Sequence, residues 1–349
     1  MPVDLRLIEG AYLADLLDQP QALQQTVDGL EQSAAIQKFA QALGRGDYKR
    51  IVLTGMGSSL HALHPIHQAL CGAGFPAQIV ETSELALNMP RLLDNQTLLV
   101  VVSQSGQSAE TIRLLSLTPG QVPTIGVTNT PASPLAAQSN AVVLMHAGTE
   151  STVSCKTYVA TLVALEWLSA VLRGADLKQT REQLQQAAPA VESYLDRYRT
   201  HVENLVVKLQ GIRHVFVAGR GASLATAGTG GLILKESAHF PAEGLSAAAF
   251  RHGPFEMLGP HIFLLVFSGD GVSSQLNRRL VDDVCSAGGR AALVSEDAEE
   301  EVFRLPRVPL VVCPVLEILP VQMMSLALSA LTGHQAGRFE RAAKITTIE

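Results

Sequence analysis

The chain has 349 residues, 47% hydrophobic and 17% charged, with a formal charge of −6 and a mean hydropathy of +0.21. That length is ample for a large core in one large or two medium domains, and the acidic balance argues against nucleic acid as the main partner. The opening Met1–Pro2–Val3–Asp4–Leu5–Arg6 lacks the basic-then-apolar pattern of a secretory signal.

In chain order, residues from about 8 to 44 read as amphipathic helices closed by Gly44–Arg45–Gly46. The apolar run 51–54 then enters Gly55–Met56–Gly57–Ser58–Ser59, a strand followed by a Gly-x-Gly turn. His61, His64 and His67 follow, but a three-residue step spreads them over about 120° of a helix. With no carboxylate nearby, they do not indicate a metal site.

The stretch 98–102 is uninterrupted Leu and Val, as expected of a buried parallel strand. It leads into Ser103–Gln104–Ser105–Gly106–Gln107–Ser108 and a helix start at Ala109. Such a junction collects free backbone N–H groups, a positive helix-dipole end and several hydroxyls, and suits a tetrahedral oxyanion such as phosphate. It holds neither lysine nor G-x-x-x-x-G-K-[ST], so a nucleotide P-loop is not expected.

A further strand is expected at 124–127 and a helical linker over 178–209. Then the pattern repeats: Gly55, Gly57, Ser59 and Leu60 recur as Gly219, Gly221, Ser223 and Leu224 at an offset of 164, and Ser105–Gly106 recurs as Ser268–Gly269 at 163. The second Ser-Gly pair also follows an apolar run, 263–267, with a third strand at 291–294. Each half therefore reads as a doubly wound parallel sheet, α/β in class. Neither turn completes G-x-G-x-x-G, because Leu60 and Leu224 stand sixth, which argues against a dinucleotide cofactor.

Within the second half, 222–240 carries formal charge only at Lys235 and Glu236. Apolar neighbours would bury Glu236 in part and raise its pKa toward that of a general base. Residues 244–250 read as helical, followed by a turn at Arg251–His252–Gly253–Pro254, whose imidazole suits proton transfer near neutral pH. A last helix is expected at about 321–332, stopped by Gly333, with Lys344 in the tail beside Ala342, Ala343 and Ile345. Cys71, Cys155, Cys285 and Cys313 are far apart without C-x-x-C, so neither disulfides nor zinc are expected. No uninterrupted apolar run reaches the roughly 18 residues of a membrane span. The expected location is the cytoplasm, and the apolar surplus points to a homo-oligomer.

Together the Gly55–Ser59 and Ser103–Ser108 turns, Gly148–Thr149–Glu150–Ser151–Thr152–Val153–Ser154–Cys155–Lys156, Lys235–Glu236, Arg251–His252–Gly253–Pro254 and Ala343–Lys344 resemble the sugar isomerase family with two SIS domains. The likeness runs from about residue 30 to the C-terminus and is to the isomerase half of glucosamine-6-phosphate synthase and its stand-alone relatives. It implies two SIS-type, flavodoxin-like subdomains at 47–175 and 210–332. A helical segment (1–46) would precede them, a helical linker (176–209) join them, and the tail 333–349 close the active site. It also implies roles: Ser59, Ser103, Gln104, Ser105 and Ser108 for the C6 anion, Thr152 and Ser154 for sugar hydroxyls, His252 for ring opening. Glu236 would shuttle the C1/C2 proton, and Lys344 would form a Schiff base or polarise a carbonyl. The implied assembly is a homodimer or larger, each site completed by a neighbour's histidine, with no cofactor, metal, nucleic acid or membrane.

Three departures bear on the reaction. No glutaminase segment precedes the first half, so glutamine-dependent synthesis is not expected. Ile233 replaces a lysine usual in relatives that handle amino sugars, and the tail lacks the usual Asp and Pro ahead of its lysine. The expected function is aldose–ketose isomerisation of a six-carbon sugar with a C6 phosphate, or a sulfonate of similar geometry. The alternatives are an amino-sugar-phosphate deaminase or fructosamine-phosphate deglycase, and a non-catalytic sugar-phosphate sensor.

Overall fold

The computed structural model describes residues 4–118, 120, 122–341 and 343–346. Its strands are β1 (Arg50–Gly55), β2 (Ala77–Glu81), β3 (Thr97–Val102), β4 (Thr124–Thr128), β5 (Ala141–Leu144), β6 (His214–Gly219), β7 (Ala242–Ser246), β8 (Ile262–Phe267) and β9 (Arg290–Val294). They form two parallel sheets, ordered β2-β1-β3-β4-β5 and β7-β6-β8-β9. The chain is thus α/β with two doubly wound sheets, as the repeat implied.

Two compact units hold these sheets: one comprises 21–149, 156–185 and 342–349, the other 1–20, 150–155 and 186–341. In the first unit every residue of β3 is buried, which explains its unbroken apolar run. The order places the winding reversal between β1 and β3, so the turns after their carboxyl ends lie side by side. Gly55 pairs with Val102 across that reversal. A β-carbon on Gly55 would sit 3.1 Å from the Val102 carbonyl, so a side chain there would push the turns apart. The Lys156–Arg173 helix packs against the Ala34–Gly44 and Leu63–Gly72 helices of the same unit.

In the second unit the Leu224–Ala238 helix lies on β6 and β7 and against the Cys313–Thr332 helix. Helix and strand meet backbone to backbone: a β-carbon on Gly244 would run into the Ala227 carbonyl, and one on Gly231 into the backbone of Gly244. The stretch Leu310–Thr332 is long and apolar enough to cross a membrane by length and composition, but 83% of its most apolar window is buried in the protein.

Local expectations fail where packing overrules them. Residues 244–250 are not one helix: β7 runs through Ser246 and pairs in parallel with β6, leaving only Ala247–Phe250 helical. The final helix begins at Cys313 rather than near 321, with Pro314 in its first turn, where proline's missing N–H costs nothing. Pro320 sits inside it.

The close approach at Gly244 gives a first prediction. Because the clash is with backbone, Gly244→Ala should cost about 1–3 kcal/mol of stability. Gly72→Ala, which meets nothing within 4 Å, should be near neutral. Chemical denaturation of both variants checks this; equal stabilities would show that the helix does not rest on β7 so tightly.

Candidate functional site

Four of the sequence-predicted binding residues lie on the loop after β3, and its geometry begins with Gly106. This residue has φ 63°, in the left-handed region, and a β-carbon there would collide with the Ser133 side chain. The resulting reversal lets Gly106 N donate to Ser103 Oγ at 3.1 Å and Gln107 N to Ser105 Oγ at 3.3 Å. Both serines are 8% exposed, and with their oxygens accepting, their O–H groups are left to donate outward. Gln104 is pinned through its carbonyl, which accepts from Asn129 N at 3.0 Å and Thr128 Oγ1 at 3.1 Å. Ser108 caps the Ala109–Ser116 helix through Thr111 N and bonds Thr111 Oγ1 at 2.8 Å. Among the described residues, the backbone N–H groups of Gln104, Ser105 and Ser108 have no protein acceptor. These donors lie at the amino end of an eight-residue helix, an arrangement able to bind an anion.

Two further predicted residues belong to the same unit. Ser59, half-buried, sits in the short Gly57–His61 helix directly after β1, on the turn adjoining the β3 loop. Lys344, half-buried, lies on the tail, whose Thr346 carbonyl accepts from Ala109 N at 3.1 Å. That bond seats the tail on the first residue of the anion-facing helix.

The other unit holds Thr152, Ser154, Glu236 and His252. Thr152 and Ser154 lie half-buried in the loop 150–155, shaped by two carboxylates: Glu150 accepts from Cys155 N, and Asp15 from Ser151 N, both at 2.9 Å. Glu236 is half-buried on the Leu224–Ala238 helix, with exposed Lys235 on one side and buried Ser237 on the other. No motif singled out Tyr12, which joins this neighbourhood from the amino-terminal helix Ala11–Leu17. Its hydroxyl lies 3.1 Å from Ser325 Oγ. Burial holds the phenol well above its usual range, with the charges of Cys155 and Glu236 adding to the effect. His252 is exposed on the turn after Ala247–Phe250, next to Arg251, which pairs with Asp283 at 2.6 Å. Among the three histidines of 61–67, burial first, then His61 and His67, hold His64 down at about 4.

The second copy of the turn is built differently. Ser223, the counterpart of Ser59, donates to Glu317 Oε1 at 2.7 Å. Arg220 is engaged by Asn277 at 3.0 Å, and Ser268 by Ser274 at 2.9 Å. Glu317 is buried, and its second oxygen has no partner. Burial pushes its carboxyl up to about 7 against the lowering effect of the Ser223 and Thr226 hydroxyls, and Asp270 raises it further. In the second turn a carboxyl group of the protein itself thus takes up the serine hydroxyl. The available sequence signal was Glu317 itself, alone among apolar residues in 313–321.

The folded-state pKa of Glu317 stands above its unfolded value of 4.5, so its stabilising proton is fully held below that value and lost as pH rises through about 7. Glu317→Gln should therefore flatten the fall in unfolding free energy between pH 5 and 8, by up to about 1.4 kcal/mol per pH unit in that window. Denaturant titrations at both pH values read this out; a variant tracking wild type throughout would refute the raised pKa.

Comparison with known proteins follows the same two-part division. The SIS domain model matches residues 47–170 and again 208–331. The chain is 31% identical over 352 residues to the isomerizing glutamine–fructose-6-phosphate aminotransferase of Pyrococcus horikoshii, covering 98% of this chain and 58% of that protein. It thus spans less than two thirds of that relative's length. It superposes on the C-terminal domain of glucosamine-fructose-6-phosphate aminotransferase from Francisella tularensis with a TM-score of 0.84 at 22% identity, covering 95% of this chain and 98% of that one. For glucosamine-6-phosphate deaminase from Thermotoga maritima the TM-score is 0.78 at 18% identity, covering 97% and 100%. At such identities the two structures speak to the fold alone.

Proposed function

This chain belongs to the SIS-domain family, and we propose that it is an aldose–ketose isomerase of a six-carbon sugar carrying an anionic group at C6. The observation that carries this is the loop 103–108: N–H groups with no protein acceptor among the described residues, serine hydroxyls and a helix start, with the lysine-bearing tail bonded to Ala109. Phosphate is the anion we assign; a sulfonate presents the same three oxygens. Ser59, Ser103, Gln104, Ser105 and Ser108 grip that group, and Thr152 and Ser154 take sugar hydroxyls. His252 moves the proton that opens the ring. Glu236 removes the C2 proton and returns it to C1 through an enediol, and Lys344 polarises the carbonyl. The chemistry is proton transfer throughout and calls for no cofactor.

Isomerisation is favoured over deamination because Ile233, one helical turn before Glu236, is fully buried and apolar and offers an amino group nothing to bind. The exposure of His252 supports a homodimer in which this histidine serves the neighbouring copy. None of the four cysteines is joined in a disulfide, which fits a reducing compartment such as the cytoplasm.

Ser105→Ala should raise KM for the best anionic sugar while sparing kcat, because a donor to a charged group contributes about 1.5–3 kcal/mol. Unchanged KM would remove the loop from anion binding. Glu236→Gln should bind sugar but lose solvent-deuterium exchange at C2 by about 10²–10⁴-fold. Absence of exchange by wild type on every hexose phosphate and sulfosugar tried would turn the assignment toward a sensor. Mixing Glu236→Gln with His252→Asn chains should restore activity that neither has alone; failure to complement would place His252 in its own chain's site.

A further inference from the structure

Three side chains converge where the Leu224–Ala238 helix ends. His239 caps that helix, His334 follows Gly333 at the end of the Cys313–Thr332 helix, and Glu340 lies six residues further along the tail. One potential ligand atom from each lies within 4.8 Å of the others. The scaffold beneath them is fixed. The two helices pack along each other, Ser329 Oγ donates to Ser237 O at 3.2 Å, and Gly337 N donates to the same carbonyl at 2.9 Å. His239 itself has φ 49°, a left-handed cap that glycine usually fills.

The protonation pattern points to an ion. His239 Nε2 lies 3.2 Å from the Arg338 carbonyl, which can only accept, so this nitrogen carries the ring proton. In the neutral ring Nδ1 is then a lone pair, and it faces Glu340 Oε2 at 3.9 Å. Two acceptors face each other at a separation too long for a hydrogen bond. Zinc–ligand bonds of about 2.0–2.2 Å set two tetrahedral ligand atoms about 3.4 Å apart, so a closing of about half an ångström by the exposed Glu340 side chain would bring both onto one ion. A ring N–H held by a backbone carbonyl is also the usual outer contact of a metal-bound histidine. The His334 ring centre is 4.9 Å from that of His239, close enough to supply a third ligand.

We propose that His239, His334 and Glu340 form a site for a divalent transition metal of the zinc type, with a water completing a four-coordinate shell. Two imidazoles and a carboxylate suit such ions rather than calcium or magnesium. The bound ion staples the root of the tail to the helix end one turn beyond Glu236. This stands independently of the sugar chemistry.

Full-length protein, stripped with chelator, should bind one Zn²⁺ per chain by calorimetry. It should melt at higher temperature with zinc and give with Co²⁺ the intense visible bands of a four-coordinate site. His334→Asn and Glu340→Gln should each weaken zinc binding by about 10–100-fold or more, while His61→Asn/His67→Asn should not. The Glu340 side chain is 46% exposed, so its variant tests the site without a folding penalty. Amide exchange over 334–341 should slow on adding zinc to wild type but not to Glu340→Gln. Zinc binding that is absent, or unchanged in Glu340→Gln and His334→Asn, overturns the site; binding without slowed exchange overturns the staple.

Discussion

Gly106 carries no β-carbon, and the geometry of the β3 loop depends on it. With φ at 63° and the α-carbon pressed against Ser133, the backbone reverses within one residue. The reversal turns Ser103 and Ser105 back on their own loop, so their oxygens accept internal N–H groups and their protons remain outward. The Gly106 carbonyl in turn accepts from Leu135 N at 3.1 Å, locking the loop to the start of the Pro134–Gln138 helix. The donors are therefore arranged before any ligand arrives, which spares the ordering cost that a flexible loop would incur on binding.

Duplication gave the chain two such junctions, and electrostatics separates their fates. In the first, hydroxyls and N–H groups converge with no internal acid among them. In the second, the equivalent serine is satisfied by Glu317, and Asp270 stands where the first copy has Gln107, at the same offset of 163. The Glu317 carboxyl fills that turn, burial favouring its protonated form below about pH 7, and the charge of Asp270 favours that form further. The second sheet thus keeps the strand–turn–helix architecture with an internal acceptor for its serine.

What could be read from the sequence divides along burial. β1, β3, β4, β6 and β8 were legible because central parallel strands demand apolar runs such as 98–102 and 263–267, and the edge strand β9 because Ala291–Ala292–Leu293–Val294 is itself apolar. The strands that escaped, β2, β5 and β7, are all at sheet edges and only partly covered. In β7 the sequence Ala-Glu-Gly-Leu-Ser offers neither alternation nor β-branching; its strand character comes from pairing with β6 and from a glycine that admits the helix. The 103–108 loop was legible because strand, turn and helix adjoin in sequence. Tyr12 was not, because its partner Ser325 lies 313 residues away. Glu317 was visible as a charge in an apolar run, but its partner Ser223 is 94 residues distant, and only the fold pairs them.

In the proposed isomerisation, Glu236, His252 and Lys344 would work from three different kinds of support. Removing a C–H proton requires a base held at fixed distance and angle, since misplacement costs rate steeply. Glu236 rides on a helix packed against a strand through Gly231 and Gly244, with no side chain between to yield. Ring opening moves a proton between heteroatoms and tolerates a looser donor, and His252 stands on an exposed surface turn. Lys344, proposed to polarise the carbonyl, stands on a tail segment whose Thr346 carbonyl accepts from Ala109 N at the start of the Ala109–Ser116 helix.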